Sequence, residues 1–199
     1  MRINTLQDVR EKWDGIYQER DGQAPGTADR VLLENAHLLP SGGEALEIAC
    51  GLGANALLLA RHGLHTRAWD ISPVAIGQLR AVAEEAGLDN LRAEAVDVMD
   101  HPPAPRSYDV IVISHFLERD LAPAIVAALK DGGLLFYQTF TRTRVSDGGP
   151  RNEAFRLADN ELLELFAPLK VLVYREEGAA GDVTRGFRDE ALLVAQKVT

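Results

Sequence analysis

The stretch "LEIACGLGAN", residues 46–55, joins an apolar segment to a turn with two glycines, and an apolar helical pattern follows it. A strand that ends in such a turn and continues as a helix brings bare backbone close to a ligand, because glycine has no side chain in the way. Gly51 and Gly53 therefore predict a ligand site. The chemistry of that ligand, phosphate-bearing or phosphate-free, separates two classes of enzyme.

Strands and helices alternate after residue 45. The predicted strands are "ALEIAC", "HTRAWD", "LRAEAVD", "YDVIVIS" and "LLFYQTF". Near-continuous apolar strands that alternate with helices are typical of a parallel sheet covered on both faces. Ser72-Pro73 is typical of a helix start, and Gly63 of a helix end. After the fourth strand, a helix with its stop signal is expected over "LAPAIVAALKDGG".

The end of the chain breaks this alternation. After a predicted helix, "DNELLELFAPL", come the strand patterns "KVLVYREE" and "EALLVAQKV", separated by a polar turn that contains glycine. Two strands joined without a helix are usually antiparallel. The pattern predicts an α/β fold with seven strands, mostly parallel and doubly wound, that ends in an antiparallel hairpin.

Two helices are predicted before the alternation begins. Thr5 and Asp8 resemble a capping box that opens a helix towards Arg20. Thr27 is expected to cap a second helix, which Pro40 stops. Within it, the residues at roughly helical spacing are Val31, Leu32, Asn35, Leu38 and Leu39. We interpret residues 1–40 as a helical cap on a core of residues 41–199, within one domain over residues 1–199.

Composition narrows the partners. The net charge of −9 opposes binding to nucleic acid and to membrane surfaces, which favours a small-molecule substrate. Cys50 is the single cysteine, so neither an internal disulfide nor a cysteine-built zinc site is expected. The five histidines show no metal-ligand spacing. The first residues lack the apolar core of a signal peptide, and a cytoplasmic location is expected. The oligomeric state is not predicted.

Carboxylates decide between two interpretations of the glycine turn. The run Gly51–Ala56 matches the GxGxxA form of the dinucleotide fingerprint, and Asp70 ends the next strand, where that fingerprint places a ribose-binding acid. A NAD-dependent oxidoreductase is therefore one hypothesis. Glu47 lies inside the strand before the turn, however, where an anion close to a pyrophosphate would be unfavourable. Asp97 ends the third predicted strand and could accept a hydrogen bond from an exocyclic amine.

The run "ALEIACGLGANALLLARHGLHTRAWDISPVAIGQL" resembles motifs I and II of the class I S-adenosylmethionine-dependent methyltransferases. The family motif is acid-x-Gly-x-Gly-x-Gly, and here it is Glu47-x-Ala49-x-Gly51-x-Gly53. Ala49 replaces the first glycine, which would narrow the space beside the methionine part of the cofactor. The resemblance covers residues 28–197 in element order and implies a Rossmann-like seven-stranded sheet that ends in a hairpin.

The chain is also similar to the tellurite-resistance (TehB-like) small-molecule branch of that family. The branch shares a "CGxGxNxxxLAxxG" run, an "AWD" strand end and a Trp-Asp-x-x-Tyr element, which here are Cys50–Gly63, Ala68–Asp70 and Trp13–Tyr17. Trp13 and Tyr17 lie one helical turn apart. They either cover the cofactor as a lid or pack the first helix on the domain.

The resemblance implies S-adenosyl-L-methionine as cofactor and gives each position a role. Glu47 would order the turn near the cofactor's ammonium group, and Asp70 would accept both ribose hydroxyls. Asp97 would accept from the adenine amine, while Val98 donates a backbone N–H and Ile71 packs on the ring. The full expected cofactor-binding set is Trp13, Tyr17, Glu47, Ala49, Gly51, Gly53, Asn55, Asp70, Ile71, Asp97, Val98 and Ser114.

Candidates for the acceptor side follow the fourth and fifth strands. Methyl transfer needs a general base only if the nucleophile carries a proton, so His115 in "SHFLERD" is either that base or a hydrogen-bonded loop residue. The loop "TRTRVSDGGPRNEAF" holds Arg142, Arg144 and Arg151, and is either a mobile cap that captures an anion or a solvated loop. The catalytic candidates are His115, Arg142 and Arg151.

These observations predict an S-adenosylmethionine-dependent methyltransferase that acts on a small molecule, such as an oxyanion, a chalcogen compound or a thiol. Two alternatives stay open. One is the NAD-dependent oxidoreductase, and the other is a non-catalytic cofactor-binding subunit of a larger methyltransferase.

Overall fold

The computed structural model describes residues 6–198, and at Leu6 only the backbone. It has one seven-stranded sheet in the order β3-β2-β1-β4-β5-β7-β6, in which β7 runs antiparallel to both of its neighbours and the other pairs are parallel. The predicted fold class is confirmed. The strands are β1 (Glu44–Ile48), β2 (His65–Asp70), β3 (Leu91–Ala95), β4 (Tyr108–Ser114), β5 (Leu129–Phe140), β6 (Lys170–Glu176) and β7 (Glu190–Gln196).

Six α-helices flank the sheet in the described residues. They are α1 (Leu6–Gln18), α2 (Arg30–Leu33), α3 (Ala54–His62), α4 (Pro73–Glu85), α5 (Ala122–Ala128) and α6 (Glu161–Leu165), and short 3₁₀ turns cover Ala36–Leu38, Arg119–Leu121 and Glu153–Phe155. None of the helices within residues 6–198 is long and apolar enough to cross a membrane.

The order of the strands indicates where a ligand-binding site is expected. The chain builds β1, β2 and β3 outward in one direction and then returns to add β4 on the other side of β1. In open α/β sheets, ligands bind at the carboxyl ends of the strands where the order reverses. That point lies between the ends of β1 and β4, which are Ile48 and Ser114.

Alternation along β1 explains why the sheet has two packed faces. Leu46 and Ile48 point into the core beneath α5 and α6, while Ala45 lies in the core on the other face. Glu47 points to the same side as Ala45, beneath α3. A carboxylate in a fully packed sheet needs partners there, and the partners define the site described below.

The second N-terminal helix is shorter than predicted. Only Arg30–Leu33 is α-helical, and Asp29 stands at the N-cap position in place of Thr27. Asn35 interrupts the helix, because its side-chain amide donates to the Val31 carbonyl at 2.9 Å, the acceptor that its own backbone N–H would otherwise use. The proposed cap residue Thr5 lies outside the described residues, and α1 ends at Gln18, before Arg20.

The predicted helix after β4 is also too long. It ends at Ala128, because Leu129 already pairs with Tyr108 in the sheet. Lys197 fixes this end by donating from Nζ to the carbonyl oxygens of Val126 at 3.0 Å and Leu129 at 2.8 Å. The residues read as a helix stop, 130–133, instead form the first part of β5. The last helix is shorter than predicted as well, since α6 covers only Glu161–Leu165.

The connection between β3 and β4, residues 96–107, holds no helix. A cavity of about 780 Å³ lies on that side of the sheet. Its lining includes Arg67, Trp69, Glu94, Asp97 and Tyr108. Asp97 therefore lies in a loop two residues beyond the end of β3, at the rim of this cavity, and not at the strand end where it was predicted.

Candidate active site

The glycine turn is built from left-handed backbone. Ala49, Gly51 and Gly53 have φ values of 56°, 52° and 79°. A Cβ added at Gly51 would lie 2.8 Å from Tyr17 Oη, and one added at Gly53 would lie 2.5 Å from Leu79 Cδ1. Both glycines are therefore favoured by backbone conformation and by the lack of space for a side chain. Ala49 adopts the same conformation with a methyl group, at a cost of about 1–2 kcal/mol.

Glu47 ties β1 to the first turn of α3. Its side chain is buried and accepts hydrogen bonds from Asn55 Nδ2 at 2.9 Å and from the Ala56 backbone N–H at 2.8 Å. Burial raises the pKa of Glu47 to about 8, although the two hydrogen bonds act in the opposite direction. The carboxylate thus fixes the turn and also places potential negative charge directly beneath it.

Asp70 is held against the same turn. One carboxylate oxygen accepts from the Gly51 backbone N–H at 2.8 Å, and the other accepts from the Ser72 backbone N–H at 2.9 Å. A carboxylate has about four lone-pair sites, and the Ile71 backbone N–H also acts on this one, so Asp70 keeps acceptor capacity for a neighbouring hydroxyl group. Burial raises the pKa of Asp70 against these hydrogen bonds.

Asn55 links the turn to residues that the sequence did not single out. Its Nδ2 donates to Asp29 Oδ2 at 2.9 Å and to Ser114 Oγ at 3.2 Å. Its Oδ1 accepts from the Asp29 backbone N–H at 2.8 Å. The ends of β1 and β4 are thereby joined through one amide side chain. Asp29 was missed, because nothing in the pattern connects it to a residue 26 positions later.

Helix α1 lies over the glycine turn. The Tyr17 ring is buried with its hydroxyl above Gly51, whereas Trp13, 6.0 Å from it between ring centroids, keeps 37% of its surface exposed. Asp14, between them in sequence, accepts from Ser72 Oγ at the N-terminus of α4. Tyr17 thus packs α1 on the core and also covers the turn. The lid function stays a prediction.

The residues expected around adenine lie beside Asp70. Val96 donates its backbone N–H to the Asp70 carbonyl at 2.8 Å, which brings the loop after β3 to the end of β2. Asp97 accepts from the Met99 backbone N–H at 2.9 Å, while Val98 is buried and Ile71 is half-buried. The structure brings these residues to one edge of the sheet. Their contacts with a base stay a prediction.

His115 follows β4 in left-handed backbone, with φ of 53°. Its Nε2 lies 3.1 Å from Glu190 Oε1, and its Nδ1 lies 3.6 Å from Asp29 Oδ1. The imidazole packs on Phe140 at 4.8 Å between ring centroids. It is therefore a hydrogen-bonded loop residue that also stands beside the network of the glycine turn. Glu190 was missed, because β7 carries no motif that pairs it with the loop after β4.

The arginine-rich loop, residues 141–156, is anchored rather than free. Arg156 is fully buried and donates to the carbonyl oxygens of Thr141 at 2.8 Å and Pro150 at 2.7 Å. Arg142 and Arg151 are exposed, and neither forms an ion pair within the described part of the chain. The anchoring argues against a freely mobile cap. It leaves the two exposed guanidinium groups available to a ligand.

Comparison with known proteins agrees with this geometry. Residues 45–133 match the sequence model of a methyltransferase domain. A ubiquinone biosynthesis O-methyltransferase of Xylella fastidiosa (strain 9a5c) is 36% identical over 110 residues, which are 52% of this chain and 44% of that protein. An S-adenosyl-L-methionine-dependent Diels-Alderase of Neonectria sp. (strain DH2) is 30% identical over 150 residues, 72% of this chain and 59% of that protein.

These matches span about half the length of the curated relatives, 44% and 59%. Among solved structures, TehB from Haemophilus influenzae superposes with a TM-score of 0.66 at 24% identity, over 93% of this chain and 67% of that one, and so shares the fold. Residues 45–133 therefore form a methyltransferase domain, and these similarities support the predicted resemblance to the class I S-adenosylmethionine-dependent methyltransferases. The cofactor of this class is S-adenosyl-L-methionine, also as predicted.

Proposed function

We propose that the chain transfers the methyl group of S-adenosylmethionine to a small-molecule acceptor. The observation that carries the proposal is the single hydrogen-bonded unit formed by Glu47, the glycine turn and Asp70 at the reversal of strand order. The left-handed backbone of the turn fits the amino-acid part of the cofactor. The remaining acceptor capacity of the Asp70 carboxylate fits its ribose. S-adenosylmethionine, the cofactor of this class of domain, carries its methyl group on a sulfonium sulfur, which activates the group for transfer.

The charge of the site supports this cofactor over a dinucleotide. Three carboxylates surround the turn. Asp70 accepts directly from the Gly51 backbone N–H of the turn, and Asn55 donates both to Glu47 and to Asp29. The charges of Asp70 and Asp29 stabilise a cationic sulfonium and an ammonium group, and these cations in turn favour the ionised form of Glu47, whereas a pyrophosphate would be repelled. In this proposal Glu47 lies near the ammonium group and Asp70 binds the ribose hydroxyls. The NAD-dependent oxidoreductase has no comparable support.

Two observations support a small acceptor. The net charge of −9 opposes a polynucleotide substrate. The relative from Xylella fastidiosa is named for O-methylation in ubiquinone biosynthesis, which concerns a small molecule. A reducing, cytoplasmic location belongs to the proposal, and the free, buried Cys50 is compatible with it.

The acceptor's anionic part, an oxyanion or a carboxylate, is proposed to bind the exposed arginines of the 141–156 loop. Replacing Arg142, Arg144 and Arg151 together with alanine should raise the acceptor's KM roughly tenfold or more, because paired charge-assisted hydrogen bonds are lost. Cofactor affinity should stay nearly unchanged. The measurement is steady-state methyl transfer to the acceptor that a screen of tellurite, selenite, thiols and hydroxybenzoates identifies.

A matched control replaces three exposed arginines elsewhere, Arg61, Arg92 and Arg185, with alanine. This control removes the same charge from the chain and should leave KM unchanged. Equal KM values for the loop triple variant and the wild type would contradict the assignment of the loop.

A second candidate function comes from the Diels-Alderase relative, which is named for a cycloaddition and not for methyl transfer. The same cofactor site would then serve a cyclisation. Alternatively, the chain would bind the cofactor as a non-catalytic subunit of a larger methyltransferase. Formation of S-adenosylhomocysteine by the isolated chain separates these candidates, since methyl transfer alone generates it. A chain that binds the cofactor but never forms this product in any acceptor mixture would favour the second candidate.

A further inference from the structure

His115 stands between two carboxylates that are themselves held in place. Glu190 Oε1 lies 3.1 Å from Nε2 of the imidazole, and Asp29 Oδ1 lies 3.6 Å from Nδ1. The first distance is a hydrogen bond, and the second is too long for one. The geometry therefore assigns the ring proton to Nε2 and leaves the Nδ1 lone pair without a donor from residues 6–198.

Each carboxylate is fixed by an amide side chain through its other oxygen. Gln138 Nε2 donates to Glu190 Oε2 at 2.6 Å, and Asn55 Nδ2 donates to Asp29 Oδ2 at 2.9 Å. Both amides are anchored on backbone, because Gln138 Oε1 accepts from the Val31 N–H at 2.8 Å and Asn55 Oδ1 accepts from the Asp29 N–H at 2.8 Å. The two carboxylates thus have little freedom to turn away from the imidazole.

The imidazole of His115 is fixed in position but accessible to a ligand. Its ring packs on Phe140, and its backbone N–H donates to the Gln138 carbonyl at 2.9 Å, which continues the pairing of β4 with β5. Its left-handed backbone is a strained conformation that persists where surrounding contacts enforce it. About a third of its side-chain surface, 35%, stays exposed, so a ligand can approach it.

We propose that Glu190 and Asp29 make His115 the proton acceptor for a hydroxyl group, so that the methyl transfer of the proposed function is an O-methylation. This inference rests on the proposed function. Glu190 acts as a positioning residue that fixes the imidazole tautomer. Asp29 stabilises the imidazolium that forms, and its bond to Asn55 joins this proton acceptor to the cofactor turn.

The step balances without a further reactant. The hydroxyl oxygen forms a bond to the methyl carbon while the carbon–sulfur bond breaks, and the electron pair of that bond goes to sulfur, which becomes the thioether of S-adenosylhomocysteine. The hydroxyl proton goes to Nδ1 of His115. The resulting imidazolium lies between Glu190 and Asp29 and later releases its proton to solvent.

The surroundings favour a neutral acceptor group over an anionic one at this position. Within residues 6–198, the charged groups that face the imidazole ring are Glu190 from β7 and Asp29 before α2. Phe140 covers one side of the imidazole, and the guanidinium carbon of Arg156 lies 5.5 Å from the centroid of the Phe140 ring. An oxyanion or thiolate beside two carboxylates would bind more weakly than a neutral group, although a thiolate that does bind needs no base to react. A hydroxyl carries no charge until it reacts, so it avoids this repulsion.

The protonation of His115 gives the inference a pH signature. Burial lowers the pKa of His115, but the hydrogen bond and charge of Glu190, together with the charge of Asp29, outweigh it and hold that pKa above its ordinary value. The neutral imidazole is the base. Methyl transfer to a hydroxyl should therefore rise with pH through this raised pKa, and removal of the Glu190 charge should move the midpoint to lower pH.

The test compares 3,4-dihydroxybenzoate with 4-mercaptobenzoate, whose mercapto group is largely ionised at neutral pH and needs no base. In His115→Asn, which suits left-handed backbone, methylation of the hydroxyl probe should fall about 100-fold or more, and that of the thiol probe by less than about threefold. Glu190→Gln should lower the midpoint of the hydroxyl pH–rate profile by about one unit. Glu164→Gln, an exposed carboxylate on α6, is the control that should change nothing.

An independent readout needs no turnover. The imidazole of His115, followed by NMR in a pH titration without acceptor, should titrate about one unit lower in folded Glu190→Gln than in the wild type. Methylation of only the thiol probe, or a hydroxyl profile that His115→Asn and Glu190→Gln leave unchanged, would overturn the inference and leave the proposed function intact. A folded wild-type chain that methylates neither probe nor any compound of the acceptor screen would overturn both.

Discussion

Replacing Asp70 with alanine is expected to weaken the binding of S-adenosylhomocysteine by about 2–3 kcal/mol, which is roughly a 30- to 150-fold increase in Kd. Two ribose hydroxyls would lose a charged acceptor that the Gly51 and Ser72 backbone N–H groups hold in position. The same change removes the bond between β2 and the glycine turn, so the turn itself would be less ordered. The measurement is calorimetric titration of the variant after its fold is verified by circular dichroism.

Asp89→Ala is the matched control, because Asp89 is exposed and lies at the opposite edge of the sheet. Its Kd should equal that of the wild type. A folded Asp70→Ala variant with an unchanged Kd would show that the ribose binds elsewhere.

The second large effect is expected at Gly53, where alanine should lower the free energy of unfolding by roughly 2–4 kcal/mol. Its φ of 79° disfavours any side chain, and the new Cβ would lie 2.5 Å from both methyl carbons of Leu79. Leu79 is fully buried between α4 and the sheet, so it has little room to move. Urea unfolding measures the change.

Gly77→Ala provides the contrast, since Gly77 lies inside α4 and no atom of the described residues comes within 4 Å of an added Cβ. It should gain about 0.5–1 kcal/mol from the higher helix propensity of alanine. Equal stability of the Gly53→Ala and wild-type chains would mean that the turn does not have the described conformation.

Local patterns predicted the centre of the fold well. The boundaries of β2 and β4 agree with the predicted strands, and Gly63 and Ser72 end and begin helices as expected, with Ser72 Oγ accepting from the Ala75 N–H at 3.2 Å. These features depend on residues close in sequence. The sequence signals for glycine conformation, helix caps and apolar alternation all lie within a few residues of the structure that they determine.

The errors arose where distant groups or side chains compete for the backbone. Asn35 takes the carbonyl that would have continued α2, and Lys197 from the end of the chain fixes where α5 stops. A pattern read along one segment does not contain either competitor. The same reason explains the missed site residues, Asp29 and Glu190, which reach His115 only after the strands have paired.

The candidate site was therefore predicted in its cofactor half and only partly in its acceptor half. Motif spacing located Glu47 and Asp70, because both belong to strands that feed adjacent turns. The arginines of the loop after β5 were grouped by composition. The structure adds Arg156, which the prediction did not include and which is buried as an anchor, while Arg142 and Arg151 face solvent as expected of a ligand-binding loop.

The central claim is that the glycine turn binds S-adenosylmethionine, and calorimetric titration of the wild-type chain with three ligands tests it most directly. We expect saturable binding of S-adenosylmethionine and S-adenosylhomocysteine in the micromolar range and no appreciable binding of NAD. Saturable NAD binding of comparable strength, or a folded chain that binds neither of the two sulfur compounds, would contradict the account.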